Sequence, residues 1–304
     1  MELEKLEKKI KKEFKAAEKE VVKKANEYFK QFELEDRKMR KKYSDKEISK
    51  KDYINWRKDK MAQGLEFRKL EIVLAENVKQ SQEIATKLIN NNLKYTYADA
   101  FNYSTYEIEK LGRVNTSFSL VDEATVSNLV KDNPDLLPKA KLPKGVLKWD
   151  VNKVNSALLQ GILAGDDIEK IASRLSQVTN QAGGASIRTA RTLTTASENV
   201  GRLNSYERAM DMGIVTKKVW MATNDSRTRH SHAELDGEEV EINETFSNDL
   251  KFPGDPDGDP GEIYNCRCTM KSHIVKIDYS DDVYRDTVVA HMGYDRWKRS
   301  RRNA

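Results

Sequence analysis

The sequence is poor in cysteine, proline and glycine and has no long apolar run. Its 304 residues include 2 Cys, 6 Pro and 14 Gly. Two cysteines, Cys266 and Cys268, are too few for a disulfide framework, which excludes the small disulfide-stabilised secreted scaffolds. No stretch of about 18 apolar residues exists, so no membrane-spanning helix is expected. The first residues, MELEKLEKKI, lack the apolar core of a signal peptide, which predicts synthesis in a reducing cytosol.

Charge is abundant but nearly balanced. Charged residues make up 34% of the chain, the mean hydropathy is −0.77 and the net charge is +5. Such a charged chain with few helix breakers is typical of long solvated helices beside a modest packed part. Residues 1–60 carry 21 Lys/Arg against 14 Asp/Glu, whereas residues 222–265 carry 3 against 12. The net charge permits contact with nucleic acid without requiring it.

The N-terminal region has one apolar stripe on an otherwise charged segment. Residues at steps of three and four form it: Leu3, Leu6, Ile10, Phe14, Ala17, Val21, Ala25, Tyr28 and Phe32. The stripe predicts a helix over residues 1–43 that needs a partner helix, because so narrow a face cannot stabilise a helix of roughly 60 Å alone. Ser44 is the predicted N-cap of a second helix, which continues to about residue 92.

A third predicted helix, residues 96–112, is rich in tyrosine. Its tyrosines either stack on bases or pack along a helix seam, and the apolar neighbours Phe101 and Ile108 favour the seam. Three prolines then fall within residues 132–148, which predicts a linker there. We therefore divide the chain into an extended, coiled-coil-like helical docking region at 1–131, the linker, a domain at 149–278 and a basic tail at 279–304.

Beyond the linker, helices come first and short strands follow. Asp150 is the predicted cap of a helix that ends near Ala164, the next helix ends at Gln177, and Gly183-Gly184 separates it from a helix over residues 185–211. Residues 215–221, 239–242 and 269–277 read as extended, and the Asp/Gly/Pro-rich residues 253–261 read as a loop. The predicted fold class is α+β, mainly α, in which a small helical plus antiparallel-β domain follows long helices.

The most informative motif runs from Trp220 to Cys268. It combines a tryptophan, D-x-R-T-R-x-x-H, L-D-G, a proline-containing acidic loop and N-C-R-C. The residues concerned are Trp220, Asp225, Arg227, Arg229, His232, Leu235, Asp236, Gly237, Asn265, Cys266, Arg267 and Cys268. In this combination the chain resembles the phage head-morphogenesis (Mu F-like) family over roughly residues 150–275. The helix containing Arg188, Arg191 and Asn199 also resembles the helical segment that precedes this motif in the family.

Three interpretations of the histidine and cysteines remain open. Cys266 and Cys268 alternate by two, so on an extended segment both side chains lie on one face. Together with His232, and with His230 or Asp225 as further candidates, they offer ligands that zinc prefers. The C-x-C spacing is tighter than the usual C-x₂₋₄-C, so we favour a hydrogen-bonded cluster with packed thiols over a structural zinc. A Cys266–Cys268 disulfide ranks third, because its ring is strained.

The remaining motif residues suggest a structural ion-pair network. Asp225 can cap the turn after Trp220, Arg227 or Arg229 can pair with a carboxylate, and Arg267 can reach Asp225, Asp236 or Glu262. Asp236 and Gly237 fit a turn.

No catalytic residue is expected in the chain. A Cys–His nucleophile has no supporting partner, and His232-Ala-Glu234 lacks the second half of a deaminase zinc motif. Residues 255–259 lack the spacing of a calcium loop.

The resemblance implies a non-enzymatic minor protein of the phage head. Such a protein acts in head morphogenesis or DNA packaging, with the portal protein and procapsid or scaffold proteins as partners and no membrane or small-molecule substrate. Its place is the virion, and the host cytoplasm during assembly; whether it is ejected with the DNA stays open. The basic tail predicts contact with double-stranded DNA through Arg296, Lys298, Arg299, Arg301 and Arg302. The alternatives are a non-specific DNA-binding accessory protein and a zinc- or thiol-dependent enzyme.

Overall fold

A computed structural model describes residues 2–302, and it confirms an α+β fold that is mainly helical. The helices are α1 Leu3–Lys30, α2 Glu33–Ser44, α3 Lys50–Met61, α4 Gly64–Gly112, α5 Glu123–Asp132, α6 Val146–Ala164, α7 Ile168–Asp211, α8 His230–Glu234, α9 Pro260–Ile263 and α10 Tyr294–Arg302. The strands are β1 Val114–Thr116, β2 Ile214–Met221, β3 Glu239–Glu241, β4 Thr269–Ile277 and β5 Val283–Arg285. Each described helix is too short or too polar to span a bilayer.

The described residues form two compact units. The helical unit contains residues 7–88 and 141–187, and the mixed unit contains residues 2–6, 89–140 and 188–302. Each unit thus combines segments from both sides of the proline-rich segment 132–148, because α4 and α7 each contribute residues to both. The division into four consecutive domains stays a prediction about the sequence.

In the helical unit, the N-terminal stripe is buried as its periodicity predicts. Ile10, Phe14, Val21 and Ala25 are all at most 3% exposed. At the C-terminal end of α1, Phe29 is buried, whereas the predicted stripe residues Tyr28 and Phe32 are half-buried. The single helix predicted to reach residue 43 is wrong, since α1 ends at Lys30. There the amide of Phe32 donates to the carbonyl of Phe29 (3.0 Å), and α2 begins at residue 33.

The start of α3 also differs from the prediction. Ser44 lies in the last turn of α2, where its hydroxyl donates to the carbonyl of Lys41 (2.7 Å). Ser49 is the N-cap instead: its Oγ accepts from the amide of Asp52 (3.2 Å), and the Asp52 carboxylate accepts from the amide of Ser49 (3.1 Å). This reciprocal pair is a capping box.

Two further predicted boundaries are absent from the described residues. The helix of α7 continues through Gly183-Gly184. Gly183 allows close packing there, since a Cβ at this position would lie 3.0 Å from Cγ of Phe14. Helix α6 begins at Val146 after Gly145, and Asp150, the predicted cap, is a buried residue inside it.

The mixed unit contains an antiparallel sheet in the order β3-β2-β4, with β4 at one edge. Trp220 pairs with Met270 and Val219 with Lys271 in the β2–β4 ladder. The three predicted strands are confirmed. The pair formed by β1 and β5 was not predicted, because three residues are too few to show an alternating pattern.

Two buried clusters fill the mixed unit. One lies against the sheet and includes Trp220, Phe246 and Met270. The other includes Tyr97, Tyr106 and Trp297. Packing of the tyrosine-rich segment within the protein is therefore confirmed for these two tyrosines.

The basic C-terminal segment predicted as a tail contains regular structure as far as Arg302, the last described residue. It contains β5, a short 3₁₀ turn and α10. Trp297 of α10 is fully buried. Arg301 is also turned inward, where its guanidinium donates to Oε1 of Glu109 (2.6 Å) and to the carbonyl of Thr116 (2.7 Å). Of the five basic residues, Arg296, Arg299 and Arg302 are exposed.

Lys218 of β2 is a buried amine. Its side chain is fully buried, and Nζ donates to the carbonyl of Ile242 (2.8 Å) and lies 5.5 Å from the ring centroid of Phe246. Burial lowers the pKa of Lys218 to about 8. The folded protein therefore releases this proton at a lower pH than the unfolded chain does.

We expect Lys218 to make a contribution to the free energy of unfolding that increases as the pH rises. Above the folded pKa of about 8 and below the unfolded value of about 10.4, the unfolded state binds more protons, so the free energy of unfolding increases. Between pH 8 and about 9.5 the gain is on the order of 1–2 kcal/mol. Denaturant unfolding of wild type and Lys218→Met at several pH values isolates this term, since other groups titrate in both. Equal slopes in the two proteins would contradict the assignment.

Candidate functional site

The candidate site lies between the loop that follows β2 and the segment that precedes β4. Helix α8 presents His232, and Arg229 is the N-cap residue of this helix. The other wall is the segment Asn265–Cys268. The sheet brings both walls close together, because β2 and β4 are paired and Trp220 of β2 lies opposite Met270 of β4.

The structure brings His232, Cys266 and Cys268 together in the protein interior. Nδ1 of His232 lies 3.6 Å from Sγ of Cys266 and 3.5 Å from Sγ of Cys268. The three ligand atoms are all within 4.8 Å of one another, and each residue is at most 3% exposed. Both cysteines are free thiols, so the disulfide alternative is wrong.

The two thiols differ in acidity. The hydrogen bond that they share is the main cause: it raises the pKa of Cys266, which burial raises further, and lowers the pKa of Cys268. The His232 ring also lowers the pKa of Cys268.

The second ring nitrogen of His232 faces a carboxylate. Nε2 lies 2.8 Å from Oε2 of Glu262, although the N–H does not point closely enough to form a hydrogen bond with any described residue. Glu262 also accepts from the hydroxyl of Ser231 (3.1 Å). The indole of Trp220 meets the imidazole edge-on at 5.3 Å between centroids, so the ring is held on its side as well.

Arg267, between the two cysteines, pairs with Asp225, one of the three carboxylates considered for it. Its guanidinium forms a two-point pair with Asp225, in which Nη2 donates to Oδ1 at 2.7 Å. The hydrogen bonds from Arg267 hold the pKa of the Asp225 carboxyl well below its usual range. Asp225 also accepts from the amide of Arg227 (2.9 Å), so the carboxylate ties the turn after β2 to the cysteine segment.

Some predicted members lie outside the cluster. His230 is exposed and lies 3.3 Å from Glu234, and Asp225 is used by Arg267, so neither is a fourth ligand in this arrangement. They were expected to converge because they are near His232 in sequence, but α8 directs His230 away from the interior. The other predicted turn residues have local roles.

Those roles involve the backbone. Arg229 donates to the carbonyl of Tyr264. Asp236 accepts from the amide of Ala222 (2.9 Å), and Gly237 takes a positive φ of 86°. The guanidinium of Arg227 lies 4.0 Å from Asp225, at the limit of an ion pair.

Four residues position the site through contacts that were not predicted. Glu262 contacts His232, and three residues of α7 hold the backbone of the cysteine segment. Thr195 donates to the carbonyl of Cys266 (2.7 Å), Thr192 accepts from the amide of Asn265 (3.0 Å), and Asn199 donates to the carbonyl of Cys268 (3.2 Å). Their three- and four-residue spacing places them on one helix face, which was the available signal.

Comparison with known families gives one match to this part of the chain. Residues 152–271 match the model described as Phage Mu protein F like protein, and this range contains the whole cluster and the Asp225–Arg267 pair. Residues 152–271 are thus similar to the Mu F-like family of phage head proteins. The resemblance seen in the sequence is therefore confirmed.

Two proteins to which the chain is similar differ in kind: one is named as a phage head protein and the other as a bacterial enzyme. The chain is 29% identical over 207 residues to the minor head protein GP7 of Bacillus phage SPP1, which is 65% of this chain and 65% of that protein. It is 30% identical over 202 residues to the NAD(+)–arginine ADP-ribosyltransferase EFV of Enterococcus faecalis, which is 63% of this chain and 40% of the enzyme. The chain thus spans less than two thirds of the length of either relative. No solved structure matches it.

Proposed function

We propose that this protein is a minor structural component of a phage head that acts by binding the portal and the procapsid. The observation that carries this proposal is the similarity to a minor head protein over 207 residues, 65% of each chain. The site supports it, since the motif residues are used for packing, ion pairing and backbone hydrogen bonds. The protein then resides in the virion and, during assembly, in the host cytoplasm.

The helical unit offers a docking surface on α2. None of residues 33–44, all of which the structure describes, is buried. The helix presents basic side chains at Lys38, Lys41 and Lys42, and Leu34 is 73% exposed. An apolar side chain beside positive charge suits an acidic helical surface on a partner. We infer that α2 contributes to portal binding.

The test is co-purification of the full chain with the portal protein of its phage. Wild type is expected to bind, and a variant with Leu34→Asp, Lys38→Glu and Lys41→Glu is expected to lose binding at least about tenfold, because rim charges and an anchor are removed together. Substitution is preferable to truncation, since removing the first helices takes residues from both compact units.

The matched control carries Lys131→Glu, Lys139→Glu and Lys144→Glu at exposed positions outside α2. It is expected to bind as wild type does. Equal loss in both variants would show non-specific attraction, and no binding by wild type would contradict the portal proposal.

Contact with double-stranded DNA is a second, compatible proposal, and α10 supports it. Arg296, Arg299 and Arg302 are exposed at steps of three, whereas Trp297 and Arg301 face inward. An arginine row on one helix face can neutralise phosphates in succession.

If α10 binds DNA, the affinity will fall with salt. Replacing Arg296, Arg299 and Arg302 with glutamine is expected to reduce the slope of log affinity against log salt by roughly 2–3, since each phosphate contact contributes about 0.9. Fluorescence anisotropy with a duplex at several salt concentrations measures this. An unchanged slope would remove α10 from the DNA proposal.

The transferase-named relative favours a shared module rather than a shared activity. The matches to the head protein and to the enzyme cover 65% and 63% of this chain, so they overlap on it, and 40% of the enzyme is involved. We propose that the common part is the head-protein module and that transfer activity resides in the remainder of the enzyme. Incubation of the chain with NAD⁺ and an arginine substrate is expected to yield no ADP-ribosylated product.

A further inference from the structure

The distances in the histidine and cysteine cluster match those of a metal site. For a tetrahedral zinc ion, bonds of about 2.0–2.1 Å to nitrogen and about 2.3 Å to sulfur place nitrogen and sulfur ligands ~3.6 Å apart. Nδ1 of His232 lies 3.6 Å from Sγ of Cys266 and 3.5 Å from Sγ of Cys268. Both contacts therefore have the separation that a shared ion imposes.

A cluster held by hydrogen bonds alone accounts for only one of these two N···S contacts. Nδ1 of a neutral imidazole is either one donor or one acceptor, so it can satisfy one of the two sulfurs. The second short N···S contact then has no hydrogen bond of its own. A metal ion uses both, because the nitrogen and both sulfurs bind the ion rather than each other.

The far side of the imidazole lies beside the kind of group that orients a metal-bound histidine, a carboxylate, although the N–H is not aligned with it for a hydrogen bond. Ligating histidines almost always direct their other ring nitrogen to a carboxylate, a carbonyl or water. Nε2 of His232 lies 2.8 Å from Oε2 of Glu262, and the Glu262 carboxylate also accepts from Ser231. With Nδ1 assigned to the ion, the proton belongs on Nε2, beside Glu262.

Neighbouring residues hold Cys266 and Cys268 in place despite the tight C-x-C spacing. The side chain of Arg267, between the two cysteines, is paired with Asp225, and the sulfurs of Cys266 and Cys268 both lie within 4.8 Å of Nδ1 of His232. The carbonyls of the two cysteines accept hydrogen bonds from Thr195 and Asn199 of α7, respectively. The backbone is thus fixed without an ion, and the ligands need little rearrangement to bind one.

We propose that Nδ1 of His232 and the sulfurs of Cys266 and Cys268 bind a thiolate-preferring metal ion, with zinc as the best match and Glu262 orienting the histidine. Mixed nitrogen and sulfur ligands are those that zinc takes in proteins. The ion ties α8 to the segment before β4, so it acts as a cross-link within the Mu F-like domain. This inference does not depend on portal or DNA binding.

The direct test uses the full chain. Protein purified without chelator is expected to contain about one zinc per chain by elemental mass spectrometry. After removal of metal, titration with cobalt(II) is expected to give thiolate-to-cobalt charge-transfer absorption that saturates near one equivalent and is displaced by zinc. Competition with copper(I) distinguishes the two thiolate-preferring ions. Metal-free purified protein that also shows no charge-transfer band would overturn the proposal.

Variants locate the ion. Cys268→Ser is expected to abolish stoichiometric binding, and Glu262→Gln is expected to weaken it about 10–100-fold while leaving the three ligands in place. His230→Ala, on the same helix but exposed, is the matched control and is expected to bind as wild type does. If Cys268→Ser does not fold, the zinc affinities of wild type and Glu262→Gln still test the proposal. Equal zinc affinity in wild type and Glu262→Gln would contradict the role given to Glu262.

Discussion

Glu109→Ala is expected to lower the free energy of unfolding by about 3–5 kcal/mol, the range for removing one partner of a buried ion pair. Glu109 is fully buried and accepts four hydrogen bonds. Oε2 accepts from the indole of Trp297 (2.5 Å), and Oε1 accepts from the guanidinium of Arg301 (2.6 Å), the amide of Thr116 (3.1 Å) and the hydroxyl of Thr116 (2.6 Å). The alanine variant leaves these donors, including a cation, without their acceptor.

Denaturant unfolding followed by circular dichroism measures the loss, and limited trypsin digestion reports on α10 directly. Trypsin is expected to cleave within residues 296–302 faster in Glu109→Ala, because α10 is held by its contacts to Glu109. Glu35→Ala, at an exposed position of α2, is the control and is expected to change stability by less than about 0.5 kcal/mol. Similar stability of the two variants would show that Glu109 does not hold α10.

The second large effect is expected for Asn199→Ala, at about 2–4 kcal/mol of lost stability. Asn199 is fully buried, and its Nδ2 lies within hydrogen-bond distance of the carbonyls of Thr195 (3.1 Å), Pro253 (2.9 Å) and Cys268 (3.2 Å). Two of these carbonyls belong to segments remote from α7 in sequence. Alanine leaves them buried without this donor.

Asn199→Asp sharpens the test. A carboxylate has nearly the same shape but cannot donate to carbonyls, so it is expected to destabilise at least as much as alanine. Asn128→Ala, at an exposed position of α5, is the control. Thermal unfolding of the three variants ranks them, and an Asn199→Asp protein as stable as wild type would show that the amide donor is dispensable.

Local patterns predicted the elements of this fold better than their boundaries. The alternating residues of β2 and β4 and the apolar stripe of α1 are one-dimensional signals of burial, and each element lies where its signal does. Gly183-Gly184 was misleading, because the same residue type that breaks a helix also permits close packing. Only the position of Phe14 in space distinguishes the two.

The residue types of the candidate site could be predicted from the sequence, but most of the contacts between its residues could not. His232, Cys266 and Cys268 stand out by residue type, and the two-residue spacing of the cysteines indicated that their sulfurs could lie near one another. Glu262 was considered only as a partner of Arg267, and Asn199 only as part of a family-like helix. Their importance depends on distances between segments 30 or more residues apart, as in the contacts between His232 and Glu262 and between Asn199 and Cys268.

The position of β4 at the edge of its sheet bears on behaviour at high concentration. An edge strand leaves backbone donors and acceptors that a second copy of the chain can use for strand addition. Here the strand carries Lys271, His273 and Lys276 among its exposed side chains. Two such strands brought together would oppose the like charges of Lys271 and Lys276, which disfavours edge-to-edge association of crowded copies of this protein.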